Sequence, residues 1–149
     1  MSQAIIKATK TTRPVTQGLN RTWYIVDASK TPIGRLATES ARLLLGKNLP
    51  TYSQDINMGG VLVVINAKNS VFTGKKPEKK RYFRHSGYMG GLKITTYKEY
   101  QAKNPKFPIY TAIKGMLPKN KHRDLLMNNR VYIFDEGHNF SNINMVQVN

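Results

Sequence analysis

Five consecutive apolar residues, Val61-Leu62-Val63-Val64-Ile65, constrain the fold more than any other stretch of the chain. A strand with one face in water alternates apolar and polar side chains, whereas a strand covered on both faces need not. This unbroken, mostly β-branched run predicts the central strand of a parallel sheet, and parallel strands require crossover segments, usually helices, between them. The sequence before it supplies both parts. Trp23-Tyr24-Ile25-Val26, ending in Asp27, reads as a strand. Thr31-Pro32 predicts a helix start with Pro32 at the first helical position, where the missing amide hydrogen would have been unpaired anyway. Ile33, Leu36, Ala37, Ala41 and Leu44 recur near the helical period, and Gly46 supplies a stop.

After the central strand the pattern continues. Asn66 to Thr73 has room for a short helix, and Arg81 to His85 reads as another strand. Thr96-Tyr97-Lys98-Glu99 fits a capping box and predicts a helix to about Asn104, before Pro105. Pro108 predicts the start of a further helix, with Ile109, Ala112, Ile113 and Met116 on one apolar face and Pro118 as its stop. A short helix through Leu125 and Leu126 follows, and Val131-Tyr132-Ile133-Phe134 reads as the last strand. The expectation is an α/β domain over 23–136. A basic, acid-free arm over 1–22 precedes it, and an asparagine-rich polar tail over 137–149 follows, with too little apolar side chain to pack by itself. The threonine-rich start resembles a weak organelle-targeting leader, but Met1 favours an arm that is kept.

Charge narrows the function. Lysine and arginine total 24 against 8 acids, a formal net charge of +16, and such an excess repels itself unless a polyanion offsets it. No apolar run approaches the roughly 20 residues of a spanning helix, so nucleic acid is the favoured polyanion. The densest segment runs from Lys75 to Lys93. It carries Lys75, Lys76, Lys79, Lys80, Arg81, Arg84 and Lys93 against the single acid Glu78, with Tyr82, Phe83 and Tyr88 among them. Cations neutralise phosphates, aromatic faces stack on unpaired bases, and glycines let backbone approach a bulky partner. A solvated lysine-rich loop is the plainer account of so short a run. The spread of positive charge over the whole chain favours RNA instead. Lys119-Asn120-Lys121-His122-Arg123 forms a second basic knot.

Catalytic signatures are missing from the sequence. There is no cysteine and no Gly-x-Ser-x-Gly elbow, which removes disulfides, thiolate zinc sites and the commonest nucleophile arrangements. A phosphate-binding loop would need glycine at 69 and Ser or Thr after Lys75, where the chain has Asn69 and Lys76. His85, His122 and His138 lack metal-ligand spacing and read as surface or base-stacking positions. Asp135 and Glu136, the only adjacent acids, fall at a strand end and read as a surface turn. No cofactor, metal or catalytic residue is expected. The alternative class, a small nucleotide-dependent or RNA-modifying α/β enzyme, rests on fold analogy alone. A concave pocket with convergent polar groups would favour that class, and a broad basic face would favour RNA binding.

Read together, several of these stretches resemble a known family, the bacterial-type large-subunit ribosomal protein thirteen. The resemblance rests on Trp23-Tyr24-Ile25-Val26-Asp27-Ala28, Gly34-Arg35-Leu36-Ala37-Thr38 with Gly46-Lys47, and Val63-Val64-Ile65-Asn66-Ala67. Thr73-Gly74-Lys75-Lys76, Arg84-His85-Ser86-Gly87-Tyr88 with Gly90-Gly91, and Ala112 to Lys119 complete it, in the family's order, from about Trp23 to His138. The resemblance implies a three-layer α/β/α domain around a mainly parallel sheet of about four strands. It also implies a structural role on large-subunit ribosomal RNA, early in assembly, among neighbouring ribosomal proteins, with no membrane and no small-molecule substrate. The expected location is the large subunit of a bacterial or organellar ribosome. Carried onto this chain, Gly34 would allow close packing at a helix start, and Arg35 and Lys47 would face RNA. Lys75, Lys76, Lys79, Lys80, Arg81, Arg84 and His85 would line the main contact, and Lys114, Lys119, Lys121 and Arg123 a second. The chain departs from the family in carrying Asn57 and Gly60 where acids are usual, and Phe140 in place of a late histidine.

Overall fold

The computed structural model describes residues 21–137, 140 and 145–148. The strands are β1 (Trp23–Asp27), β2 (Val61–Ile65), β3 (Arg81–His85), β4 (Leu92–Thr96), β5 (Val131–Ile133) and β6 (Met145–Val148). The α-helices are α1 (Ile33–Leu45), α2 (Lys76–Lys79), α3 (Tyr97–Lys103), α4 (Lys106–Met116) and α5 (Lys121–Arg130), and a 3₁₀ turn spans Ala67–Asn69. Four strands form a wholly parallel sheet in the order β5-β2-β1-β6, flanked by helices. This agrees with the expected three-layer α/β/α class. The chain steps from β1 to β2 to β5 in one direction and then crosses back to β6.

One face of the sheet carries the main core. Tyr24, Val26, Leu62 and Val64 pack with Ile33, Leu36, Leu44, Ile109, Ile113 and Leu126 from the helices. Val61 and Val63, on the other face of β2, are also buried, so this strand is covered on both sides as its unbroken apolar run predicts. It shares the interior of the sheet with β1 instead of being its sole centre. Gly46 ends α1 in the left-handed region at φ 75°, with its amide bonded back to Leu43. Gly59 approaches the C-terminal end of α1 so closely that a Cβ would lie 1.8 Å from the Leu44 carbonyl oxygen. Only glycine fits there.

Several elements differ from the sequence reading. Pro32 is the N-cap of α1 rather than its first residue, and its carbonyl accepts from the Leu36 amide. The helix expected to start at Pro108 starts at Lys106. Proline is tolerated at the third position because the first four amides of a helix have no intrahelical acceptor. Of its apolar face, Ile109 and Ile113 are fully buried but Met116 is 52% exposed. The basic knot at 119–123 does not precede α5 but enters it, with Asn120 as N-cap accepting from the Arg123 amide. β4 was unforeseen and pairs antiparallel with β3 in a hairpin outside the main sheet. β6, inside the expected polar tail, pairs in parallel with β1. Of the arm expected over 1–22, residues 1–20 lie outside the described residues, as does His138.

Candidate nucleic-acid interface

The helix α2 starts at Lys76 and places Lys75, Lys76, Lys79 and Lys80 around a groove of about 600 Å³. Its apolar floor is Ile33, Phe72, Pro108, Ala112 and Met116, contributed by α1, α4 and the segment after the 3₁₀ turn. Gly34 also lines it, and nothing lies within 4 Å of where its Cβ would be, so the expected close packing at Gly34 is not found. The glycine instead leaves the groove open. Glu78 is the only acid in the first turn of α2, and no acidic side chain lines the groove. Lysines around an apolar floor leave the cationic heads to water or to an anion while their stems cover the surface.

The β3–β4 hairpin extends this surface. Residue pairing sets Phe83 opposite Ile94, His85 opposite Leu92 and Arg81 opposite Thr96 on one face. The other face holds Tyr82 opposite Thr95 and Arg84 opposite Lys93. Tyr82 docks the hairpin, meeting the rings of Tyr100 and Phe107 edge-on at 5.3 and 5.5 Å, and Lys80 lies over its ring at 5.4 Å. Burial and the nearby Tyr97 and Tyr100 push its phenol above the usual range. Arg84 facing Lys93 is a like-charge pair that destabilises an isolated hairpin and is relieved by an anion. The face bearing Phe83 is open: Phe83 is 67% exposed, and Tyr88 in the connecting loop is 80% exposed. His85 accepts the Gly87 amide at Nδ1, which leaves its other ring nitrogen as an outward donor. Arg81, Arg84 and His85 are all exposed.

A second cavity, of about 530 Å³, gathers Lys47 and His122 with Tyr52, Asp55, Asn57, Leu117 and Asn120. Met116 lines both cavities, so the exposed side of α4 joins the lysine groove to the second basic site. Sequence reasoning assigned Met116 to a core face, and only its exposure reveals the junction. Arg35 and Lys47 are both exposed but stand at opposite ends of α1, roughly 18 Å apart by helical rise. Lys114 and Arg123 converge on Asp124 at 3.3 and 3.8 Å, while Lys119 and Lys121 are exposed. Asp135 and Glu136 pair with Lys106 and Lys68, which agrees with a surface turn. Among the described residues no group of three His, Asp or Glu is placed to hold a metal, and no helix is long and apolar enough to cross a membrane.

Residues 21–139 match the family profile described as Ribosomal protein L13. Over 124 residues the chain is 45% identical to large ribosomal subunit protein uL13 of Gloeothece citriformis, covering 83% of this chain and 82% of that protein. It is 46% identical over 125 residues to uL13 of Crocosphaera subtropica, covering 83% of each. With uL13 of Chloroflexus aggregans the identity is 49% over 115 residues, covering 76% of this chain and 80% of that protein.

Proposed function

This chain belongs to the ribosomal protein L13 family, and on that premise we propose that it grips large-subunit ribosomal RNA along α4 and the β3–β4 hairpin. It is a structural constituent of the large ribosomal subunit. Lys75, Lys76, Lys79 and Lys80 neutralise backbone phosphates over the open groove, with Arg35 at its edge. Arg81, Arg84, Lys93 and His85 follow the same strand along the hairpin, where Phe83 and Tyr88 offer faces to unpaired bases. Lys47, Lys114, Lys119, Lys121 and Arg123 hold a second phosphate run. RNA drawn to Lys114 and Arg123 competes with Asp124 for them. Residues 1–22 act as a basic arm on the same RNA.

The observation that carries this reading is the ring of lysines around a groove that no acidic side chain lines. The chain catalyses nothing in this reading: its cations are spread along a track and do not converge on one reacting atom. On the same reading, which rests on the family, it binds RNA early in subunit assembly, beside neighbouring ribosomal proteins.

Binding of the full chain to purified large-subunit RNA, titrated with salt, tests the proposal. Affinity should fall by about 10³ to 10⁵ between roughly 50 and 200 mM salt if about 6–10 phosphates are engaged. Replacing Arg81 and Arg84 together by Ala should weaken binding while shifting stability by less than about 0.5 kcal/mol each, as for other exposed positions. No binding at low salt would discard the reading, and a large loss of stability would make the two arginines packing residues.

A further inference from the structure

Arg21, just before β1, and Arg130, the last residue of α5, meet at one backbone carbonyl. The Arg21 Nη1 donates to the Gly59 oxygen at 2.9 Å and to the Asn57 carbonyl at 3.3 Å. The Arg130 Nη1 donates to the same Gly59 oxygen at 3.1 Å and to Asn57 Oδ1 at 2.6 Å. Two guanidinium nitrogens on one acceptor are within about 6 Å of each other, the combined length of the two bonds. The acceptor cannot retreat, because Gly59 is wedged against the Leu44 carbonyl.

Like charges this close call for a counter-ion, and among the described residues the groups they bond to are neutral. All 8 acidic side chains lie within the described residues, and the oxygens that Arg21 and Arg130 bond to belong to Gly59 and Asn57, none of them a carboxylate. Asp27 is held by Ser29 and Asn66, Glu99 by Thr96, Asp124 by Lys114 and Arg123, Asp135 by Lys106 and Glu136 by Lys68. Asp55, two residues before Asn57, accepts from the Ser53 hydroxyl. Asn57 accepts as a neutral amide at the position where a carboxylate would neutralise the pair. Burial first, and then the charge of Arg21, pull the Arg130 guanidinium down to about 10. Each guanidinium carries five donors, and among the described residues each bonds through Nη1, which leaves further donors for an incoming ligand. Both side chains are half-buried, so an anion reaches them from solvent.

We propose that Arg21 and Arg130 form an anion site at the N-terminal edge of the sheet that takes one phosphate of the RNA backbone. Paired guanidinium forks suit phosphate oxygens better than lysine heads do. The site is continuous with the second basic cavity through Asn57, which lines it beside Lys47 and His122. This inference rests on the RNA-binding reading and adds a contact to it that neither basic segment of the sequence contains.

The test is Asn57→Asp, which keeps the oxygen that Arg130 uses and adds the missing negative charge. Binding to large-subunit RNA at about 0.1 M salt should fall roughly five- to tenfold, and the slope of log affinity against log salt should lose about one unit. The melting temperature should hold or rise, because an internal ion pair replaces a neutral bond. Arg21→Gln is the second variant and should lose affinity to a similar degree. If wild type binds RNA and both variants bind it equally well, the inference is wrong while the broader reading stands. If wild type does not bind, the broader reading fails and takes the inference with it. Inorganic phosphate, at ionic strength matched with chloride, separates the sources. A thermal shift that phosphate induces in wild type and not in Asn57→Asp, with RNA affinity unchanged, would assign the site to a free anion and overturn the RNA contact.

Discussion

Single positions set how wide the lysine groove stands. Gly34 lies in the first turn of α1 with open space where a Cβ would be. Gly34→Ala removes backbone freedom from the unfolded chain without a clash, so it should stabilise the protein by about 0.5 kcal/mol and raise the melting temperature by about 1–2 °C. The same methyl narrows the lysine groove and should weaken RNA binding; a lowered melting point would show that the space is not open. Asp27 is a different case. Burial pushes its carboxyl up, but bonds from Asn66 and Ser29 and the charge of Lys30 outweigh this and hold it below its ordinary value of 3.8. A carboxyl depressed in the folded state stabilises fully above its unfolded pKa, and that contribution is lost as pH falls through the folded value. The urea midpoint of wild type should therefore exceed that of Asp27→Asn near neutrality, and the gap should narrow steadily below about pH 4. A gap independent of pH would show that shape, not charge, sets the difference.

At the scale of elements, strand alternation gives the hairpin one docked aromatic ring and one exposed one. Tyr82 faces Tyr100 and Phe107, whereas Phe83 faces solvent. Tyr82→Ala should cost about 2 kcal/mol by removing the contacts that seat the hairpin on α3 and α4. Phe83→Ala should leave unfolding midpoints nearly unchanged and reduce RNA affinity, since a base stacked on an aromatic ring is worth about 1–3 kcal/mol. The opposite ranking of the two variants in a denaturant titration would reverse the assignment of faces. The capping of α3 was legible in sequence: Thr96 accepts the Glu99 amide at 3.4 Å, and the hydroxyl donates to the Glu99 carboxylate at 2.9 Å. β4 went unread: its apolar-polar alternation, Leu92-Lys93-Ile94-Thr95 after Gly90-Gly91, is short, and it pairs with β3 outside the main sheet, where little apolar surface is buried.

For the whole molecule, the net charge of +16 acts with opposite signs on folding and on binding. Salt screens repulsion within the free chain and should raise its melting temperature between about 10 and 150 mM, where the Debye length shrinks from about 30 to 8 Å. The same salt weakens association with RNA by reducing the gain from counter-ion release. Parallel melts and binding titrations over one salt series would check both slopes. Two slopes of the same sign would mean that charge repulsion is not what limits the free fold.

Local signals in the sequence determined the elements: the unbroken apolar run of β2, the helical period and glycine stop of α1, and the box before α3 all act within a few residues. The same local reading marked the dense lysine segment as an anion surface, because charge density does not depend on topology. What only the tertiary structure decided lies between segments distant along the chain. It set Phe72, Pro108 and Met116 as the floor beneath the lysines, recruited Met145 to Val148 as an edge strand, and brought Arg21 and Arg130 to the Gly59 carbonyl. Such meetings depend on strand order and crossover hand, which a weakly apolar strand or a lone arginine does not encode by itself.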